Sequence, residues 1–168
     1  MSLHDAAAAA LVYWDRDDAI LMVAIAGAET GGSWSNSTQG DPSSSYPNDP
    51  EYAKWACRGY TSWGLWQINI RWNHPLVAGL AGTSDPCGMA EWLSDPTHNA
   101  QAAFEIRKSQ GLSAWTVYRL GTYLNYWDQA ISAVDEILVA RPGPPPPGVP
   151  APPGVPRPPA PPRVPLEF

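Results

Sequence analysis

Basic residues are scarce in this chain: Lys and Arg number 10 against 16 Asp and Glu, and the formal net charge is −6 over 168 residues. No stripe of cations is present to neutralise phosphates, which excludes nucleic acid as the main partner. Long apolar runs are missing too. The longest, Ala19 to Ala28, falls well short of the roughly 20 residues that span a bilayer. The opening "MSLHDAAAAALVYW" has no basic segment ahead of its apolar stretch, so neither a membrane span nor a signal peptide is visible. His4, His74 and His98 lack metal-like spacing, the cysteines are not a CxxC pair, and no glycine-rich phosphate loop follows a strand. Neither a metal nor a cofactor is expected, and His74, just before Pro75, reads as a loop residue.

Cysteine is limited to Cys57 and Cys87. A disulfide between them would stabilise the fold by roughly 3–4 kcal/mol in the chain-entropy model. It is the favoured reading over two buried thiols, because the intervening segment looks poor in regular structure and gains from a staple.

What the chain does have is a helical pattern. Ala6 to Trp14 reads as a first helix, and "DRDD", Asp15 to Asp18, supplies a cap and first-turn acids for a second over Asp17 to Glu29. The second helix is apolar nearly all round, which places it at the centre of the domain. Gly31 and Gly32 stop it. Ser33 to Thr61 reads as a long, functional loop, and "GLWQINI", Gly64 to Ile70, as a brief strand or extended edge. A further Gly/Pro-punctuated region follows. Asp95-Pro96 then opens a helix that stops at Gly111, Ser113 caps a short one to about Leu120, and "YLNYWDQAISAVDEILVA" gives a last long one. The expected fold is mainly α, with about five helices around a central buried one and a small β element.

Of the 20 prolines, 14 fall between Pro142 and Pro165, with "PPGVP" at Pro146 and again at Pro152. Such a tract packs no core. The expectation is one domain over residues 1–141, with a net charge of −7, followed by a proline-rich tail over 142–168. Extended as polyproline II, the tail would reach on the order of 75 Å. A semi-rigid linker is the favoured reading, a ligand for proline-binding domains the alternative.

One carboxylate sits oddly. Glu29 closes the apolar helix in "AIAGAETGGSW", Ala24 to Trp34. Unsatisfied carbonyls at a helix C-terminus oppose its ionisation, and apolar surroundings add desolvation in the same direction. Both effects keep a carboxyl protonated, as a general acid requires. The competing reading is a surface glutamate at a frayed helix end.

Read together, "AIAGAETGGSW" and "SWGLWQIN", Ser62 to Asn69, resemble the lysozyme-like superfamily, specifically the soluble lytic transglycosylase domain. Glu29-Thr30 stands for that family's catalytic Glu-Ser pair, and Gly64, Leu65, Gln67 and Ile68 match its Gly-Leu-x-Gln-Ile segment. Pro96, Asn99 and Ala103 in "DPTHNAQAA" match the opening of its next helix. "YRLG" keeps Tyr118 and Gly121 of a Tyr-Asn-Ala-Gly motif but departs at Arg119 and Leu120, and the usual lead-in before Gly-Leu-x-Gln is missing. "ETGGSW" is also similar to the Glu-Ser-Gly-Gly-Asn-Trp of resuscitation-promoting factors. The resemblance spans about residues 6–140.

The resemblance adds a substrate cleft to the expected fold and implies cleavage of the β-1,4 bond between N-acetylmuramic acid and N-acetylglucosamine in peptidoglycan. Glu29 would be the acid and then the base, and Thr30, Trp63, Gly64, Gln67, Asn69 and Tyr118 would bind substrate. A hydrolytic muramidase on the same fold, or a non-catalytic glycan-binding or phage-tail module, are the alternatives. Action at the bacterial cell wall follows, by a monomeric domain of a larger chain or assembly; the missing signal and the proline tract fit a phage-encoded or virion-associated module.

Nine tryptophans suit such a substrate, since pyranose rings present apolar C–H faces to indoles. Strand alternation puts Trp66 opposite Gln67 and into the core, leaving Trp63 as the better sugar platform; Trp34 has core packing as its competing reading. Gln67 and Asn69 would supply polar partners if they face the cleft; bonding to local backbone is their alternative. Asp41, Asp49 and Glu51 are candidates for a second carboxylate, but none lies in a motif, and each reads as a solvated turn residue.

Overall fold

A computed structural model describes residues 2–140; the proline-rich segment read as a linker lies outside the described residues. The order is α1 (Leu3–Ala10), α2 (Arg16–Glu29), β1 (Gln39–Pro42), α3 (Pro50–Lys54), β2 (Tyr60–Trp63), β3 (Ile68–Asn69), α4 (Ile70–Ala81), α5 (Pro86–Leu93), α6 (Pro96–Gln110), α7 (Thr116–Arg119) and α8 (Trp127–Ala140). The fold is mainly α with one small sheet. Among the described residues no helix is long and apolar enough to cross a membrane.

α2 is the axis of the domain. The Asp15 side chain accepts from the Asp18 amide at 3.0 Å, and Asp17 and Asp18 complement the positive helix end. From Ala19 to Gly27 every residue except Leu21 is buried, because α1, α7, α8 and the turn Thr122–Tyr126 pack around the helix. Each large side chain enclosed in this way contributes about 1.5–3 kcal/mol relative to exposure. Arg16 ties the start of α2 to α8 through two 2.6 Å bonds to Asp135.

The segment expected to be loop holds more order than its composition suggested. β1, α3 and β2 lie within or at the end of Ser33 to Thr61, and α4 and α5 occupy the next Gly/Pro-punctuated stretch. Among the described residues there are thus eight α-helices, against the about five expected. α4 forms despite Pro75, which has no N–H to offer the Arg71 carbonyl; His74 Nδ1 lies 3.1 Å from that oxygen and takes the role. His74 is thus a helical residue, not a loop residue.

The sheet is antiparallel in the order β1-β2-β3, pairing Gly40 with Ser62 and Ser62 with Asn69. Only Ile68 and Asn69 of "GLWQINI" are strand. Gly64 to Gln67 form the turn of the β2–β3 hairpin. Cys57 and Cys87 form a disulfide with Cα atoms 4.8 Å apart, joining the approach to β2 to the first turn of α5.

Candidate active site

The C-terminal end of α2 and the small sheet meet at a cavity of about 520 Å³ whose walls include Glu29, Asp41, Gln67, Asn69 and Trp72. Glu29 is half-buried there. Burial, first, and the negative charge of Asp41, second, push its carboxyl up from 4.5 to about 7. The helix end contributes less than its position suggested: the carbonyls of Ala26, Gly27 and Ala28 are taken by the amides of Thr30, Gly32 and Gly31. They are not the open, unsatisfied oxygens that would act most strongly on the carboxylate.

Those bonds hold Glu29 in place. Thr30 Oγ1 donates to the Ala26 carbonyl at 2.8 Å and accepts the Trp34 amide at 2.9 Å. Gly31 and Gly32 take φ of +60° and +81°, which turns the chain back. Trp34 then lies on α2, its Nε1 donating to the Val23 carbonyl at 3.0 Å and its ring meeting Tyr126 edge-on at 5.5 Å. Gly27 makes the room, since a Cβ there would sit 2.7 Å from the Trp34 ring and 2.9 Å from Tyr126. Thr30, expected among the binding residues, is buried and does not line the cavity; its hydroxyl fixes the helix end.

The hairpin turn forms the facing wall through two buried amides. Asn99 donates to the Trp63 and Leu93 carbonyls, both at 3.0 Å, and accepts the Trp66 amide at 3.0 Å. Asn36 accepts the Leu65 amide at 3.1 Å. Gly64 has φ +81°, and a Cβ there would collide with the Asn99 amide nitrogen, so its part is to let the turn close on Asn99. Trp66 is fully buried, its indole donating to the Met22 carbonyl at 2.8 Å. Turn geometry, not strand alternation, sends Trp66 inward and Gln67, at φ +46°, to the cavity.

The expected binding residues separate here. Gln67 lines the cavity, but its Nε2 is engaged by the Thr38 and Gly64 carbonyls at 3.0 and 2.8 Å, leaving Oε1 as its offer to a ligand. Asn69 also lines it; Oδ1 caps α4 by accepting the Trp72 amide, and Nδ2 faces Asp41, Thr61 and Ser62. Trp63 is not brought to this cavity. It is 4% exposed, bonds the Tyr60 carbonyl, and lines a separate hollow beside the disulfide, so the sugar-platform expectation is corrected to a packing role. Tyr118 stacks on Tyr123 at 5.2 Å and is likewise absent from the wall, although Thr116 and Val117 just before it belong to it.

Asp41, one of three candidates for a second carboxylate and read from the sequence as a solvated turn residue, lines the cavity. It lies in β1 with φ +51°, an uncommon conformation outside glycine. Ser62 Oγ and Asn69 Nδ2 both donate to its Oδ2, at 2.5 and 3.0 Å, leaving Oδ1 with no protein donor among the described residues. The arrangement thus pairs a carboxyl that favours its proton with an oriented carboxylate across one cavity, the elements of acid-assisted cleavage of a glycosidic bond. No group of three or more His, Cys, Asp or Glu that would hold a metal is found among the described residues.

Comparison with known proteins agrees with this architecture. The profile of a lysozyme-like domain of the soluble lytic transglycosylase type matches residues 6–117. No curated protein and no solved structure matches the chain significantly. With Glu29 at the end of a buried central helix and a cleft walled by a small sheet, the chain belongs to the lysozyme-like domain family of peptidoglycan-acting glycosidases and transglycosylases.

Proposed function

We propose that this domain cleaves the β-1,4 bond between N-acetylmuramic acid and N-acetylglucosamine as a lytic transglycosylase. The observation that carries the reading is Glu29 itself: half-buried, opening on the cavity, and raised to about 7 so that a large fraction is protonated at neutral pH. Glu29 gives its proton to the glycosidic oxygen as the C1–O bond breaks, while the muramoyl N-acetyl oxygen closes on C1. The resulting Glu29 carboxylate then takes the proton of the 6-hydroxyl, whose oxygen displaces the acetamido oxygen at C1. A 1,6-anhydromuramoyl end is left and the acid is restored, with no water consumed.

Asp41 favours a second reading, hydrolysis. Its oriented carboxylate on the same cavity is suited to hold a water or to stabilise positive charge at C1. Mass spectrometry of digested sacculi separates the two, since anhydro products are lighter than reducing-end products by one water. Reducing ends alone would remove the transglycosylase reading. A purely glycan-binding or structural module would leave sacculi intact with either the parent chain or Glu29→Gln.

A further inference from the structure

Of the nine tryptophans, six are buried, and two lie against imidazoles: Trp55 stacked on His74 at 4.1 Å and Trp92 on His98 at 4.6 Å. Trp72 is the exception. It is 64% exposed, and it lines the cavity that holds Glu29. Leaving an indole in water forgoes the burial or ring stacking that the other eight tryptophans find.

Its ring is nevertheless backed. The Arg71 guanidinium lies 3.8 Å from the Trp72 ring centroid and 4.9 Å from that of Tyr52, and Tyr52 stacks on Tyr46 at 3.9 Å. Asp49 anchors the guanidinium through a 2.6 Å bond. The stack of aromatic rings and a planar cation therefore holds the indole in one orientation. Beside it, amides continue along the same wall: Asn73 Nδ2 donates to the Asn69 carbonyl at 2.9 Å, and Gln110 Nε2 to Asn73 Oδ1 at 3.0 Å.

A fixed apolar plane bordered by amides matches a ring that is apolar on its face and hydrogen-bonding at its edge. An N-acetylated pyranose has that character. A polyanion is disfavoured by the acidic balance of the chain.

We propose that Trp72 is the platform for an N-acetylated sugar ring in the part of the cavity bounded by α4 and α6, so that it sets how long a glycan the domain grips. The stack Tyr46–Tyr52–Arg71 orients the indole, and Asn73 and Gln110 face the substituents of the sugar. The inference rests on the glycan reading of the Glu29 cavity. It moves the aromatic binding role from Trp63 to a residue outside the Gly-Leu-x-Gln-Ile segment.

The test uses the full chain carrying Glu29→Gln, titrated with chitohexaose by calorimetry and by tryptophan fluorescence. Trp72→Ala in that background is expected to weaken binding about tenfold, and Trp72→Phe, which keeps a stacking face, far less. The fluorescence response is expected to fall sharply in Trp72→Phe, Trp66 and Trp115 at the same cavity accounting for what remains, while calorimetric binding persists. Equal affinity of Trp72→Ala and its parent overturns the platform and leaves the cleavage reading standing. Binding that depends on Trp72, with sacculi left uncut by the chain that retains Glu29, upholds the platform and removes the cleavage reading. No binding of chitohexaose or sacculi by the parent overturns both.

Discussion

Glu29 and Asp41 illustrate how one residue's chemistry depends on its neighbours. An exposed glutamate ionises near 4.5, but burial and the Asp41 charge hold the Glu29 proton to about pH 7. Between those values the folded chain binds a proton that the unfolded chain has released, so this group makes stability fall as pH rises through that window. At pH 8 the cost is on the order of 3 kcal/mol, and below pH 4.5 it is gone. Glu29→Gln is therefore expected to melt higher than the parent at pH 8 but not at pH 4, while sacculus lysis falls by about 10²–10⁴-fold. Lysis by the parent should decline on the alkaline side of about pH 7. In Asp41→Asn that decline should move to lower pH, because the charge that raises Glu29 is gone; a pH–rate profile with an unmoved alkaline limb would contradict the coupling.

At the scale of elements, the decisive piece is the β2–β3 turn and the two amides beneath it. Asn99 on α6 satisfies three backbone groups of the turn and of the α5 end, all buried. Asn99→Ala removes the side-chain partner of the Trp63 carbonyl and the Trp66 amide, while the Leu93 carbonyl keeps Asn36 at 3.3 Å, and a loss of about 2 kcal/mol or more is expected in denaturant titration. Gln67 and Asn69 reach the cavity because this turn is held there. Their positions in sequence suggested an alternating strand, and the inward direction of Trp66 was anticipated, but for a reason the turn does not share. α3 and α5 open on the same cap-then-proline signal as α6, at Asp49-Pro50 and Asp85-Pro86, but they are short and the Gly and Pro around them masked it; in α4 Asn69 caps the start and His74 stands in for the donor that Pro75 lacks.

For the whole molecule, the disulfide joins the sheet side of the domain to the α4–α6 layer. Opening it with reductant, or by Cys57→Ser with Cys87→Ser, is expected to reduce stability by about 3–4 kcal/mol, read as a lower denaturant midpoint. The sheet carries Asp41, and α4 carries Trp72. Both walls of the cavity thus depend on how the sheet sits against α4 and α6.

The sequence by itself determined the central helix, its closing glutamate and the family, because those are local: an uninterrupted apolar face, a cap at each end, and short motifs in a fixed order. It also marked Gln67 and Asn69 as polar residues near the site. Only the tertiary structure decided that Asp41 shares the cavity with Glu29, that Trp63 turns away from it and that Trp72 lines it. Those choices depend on a hairpin turn with residues at positive φ and on amides far away in the chain, and such long-range contacts leave no period or spacing in the sequence to be read.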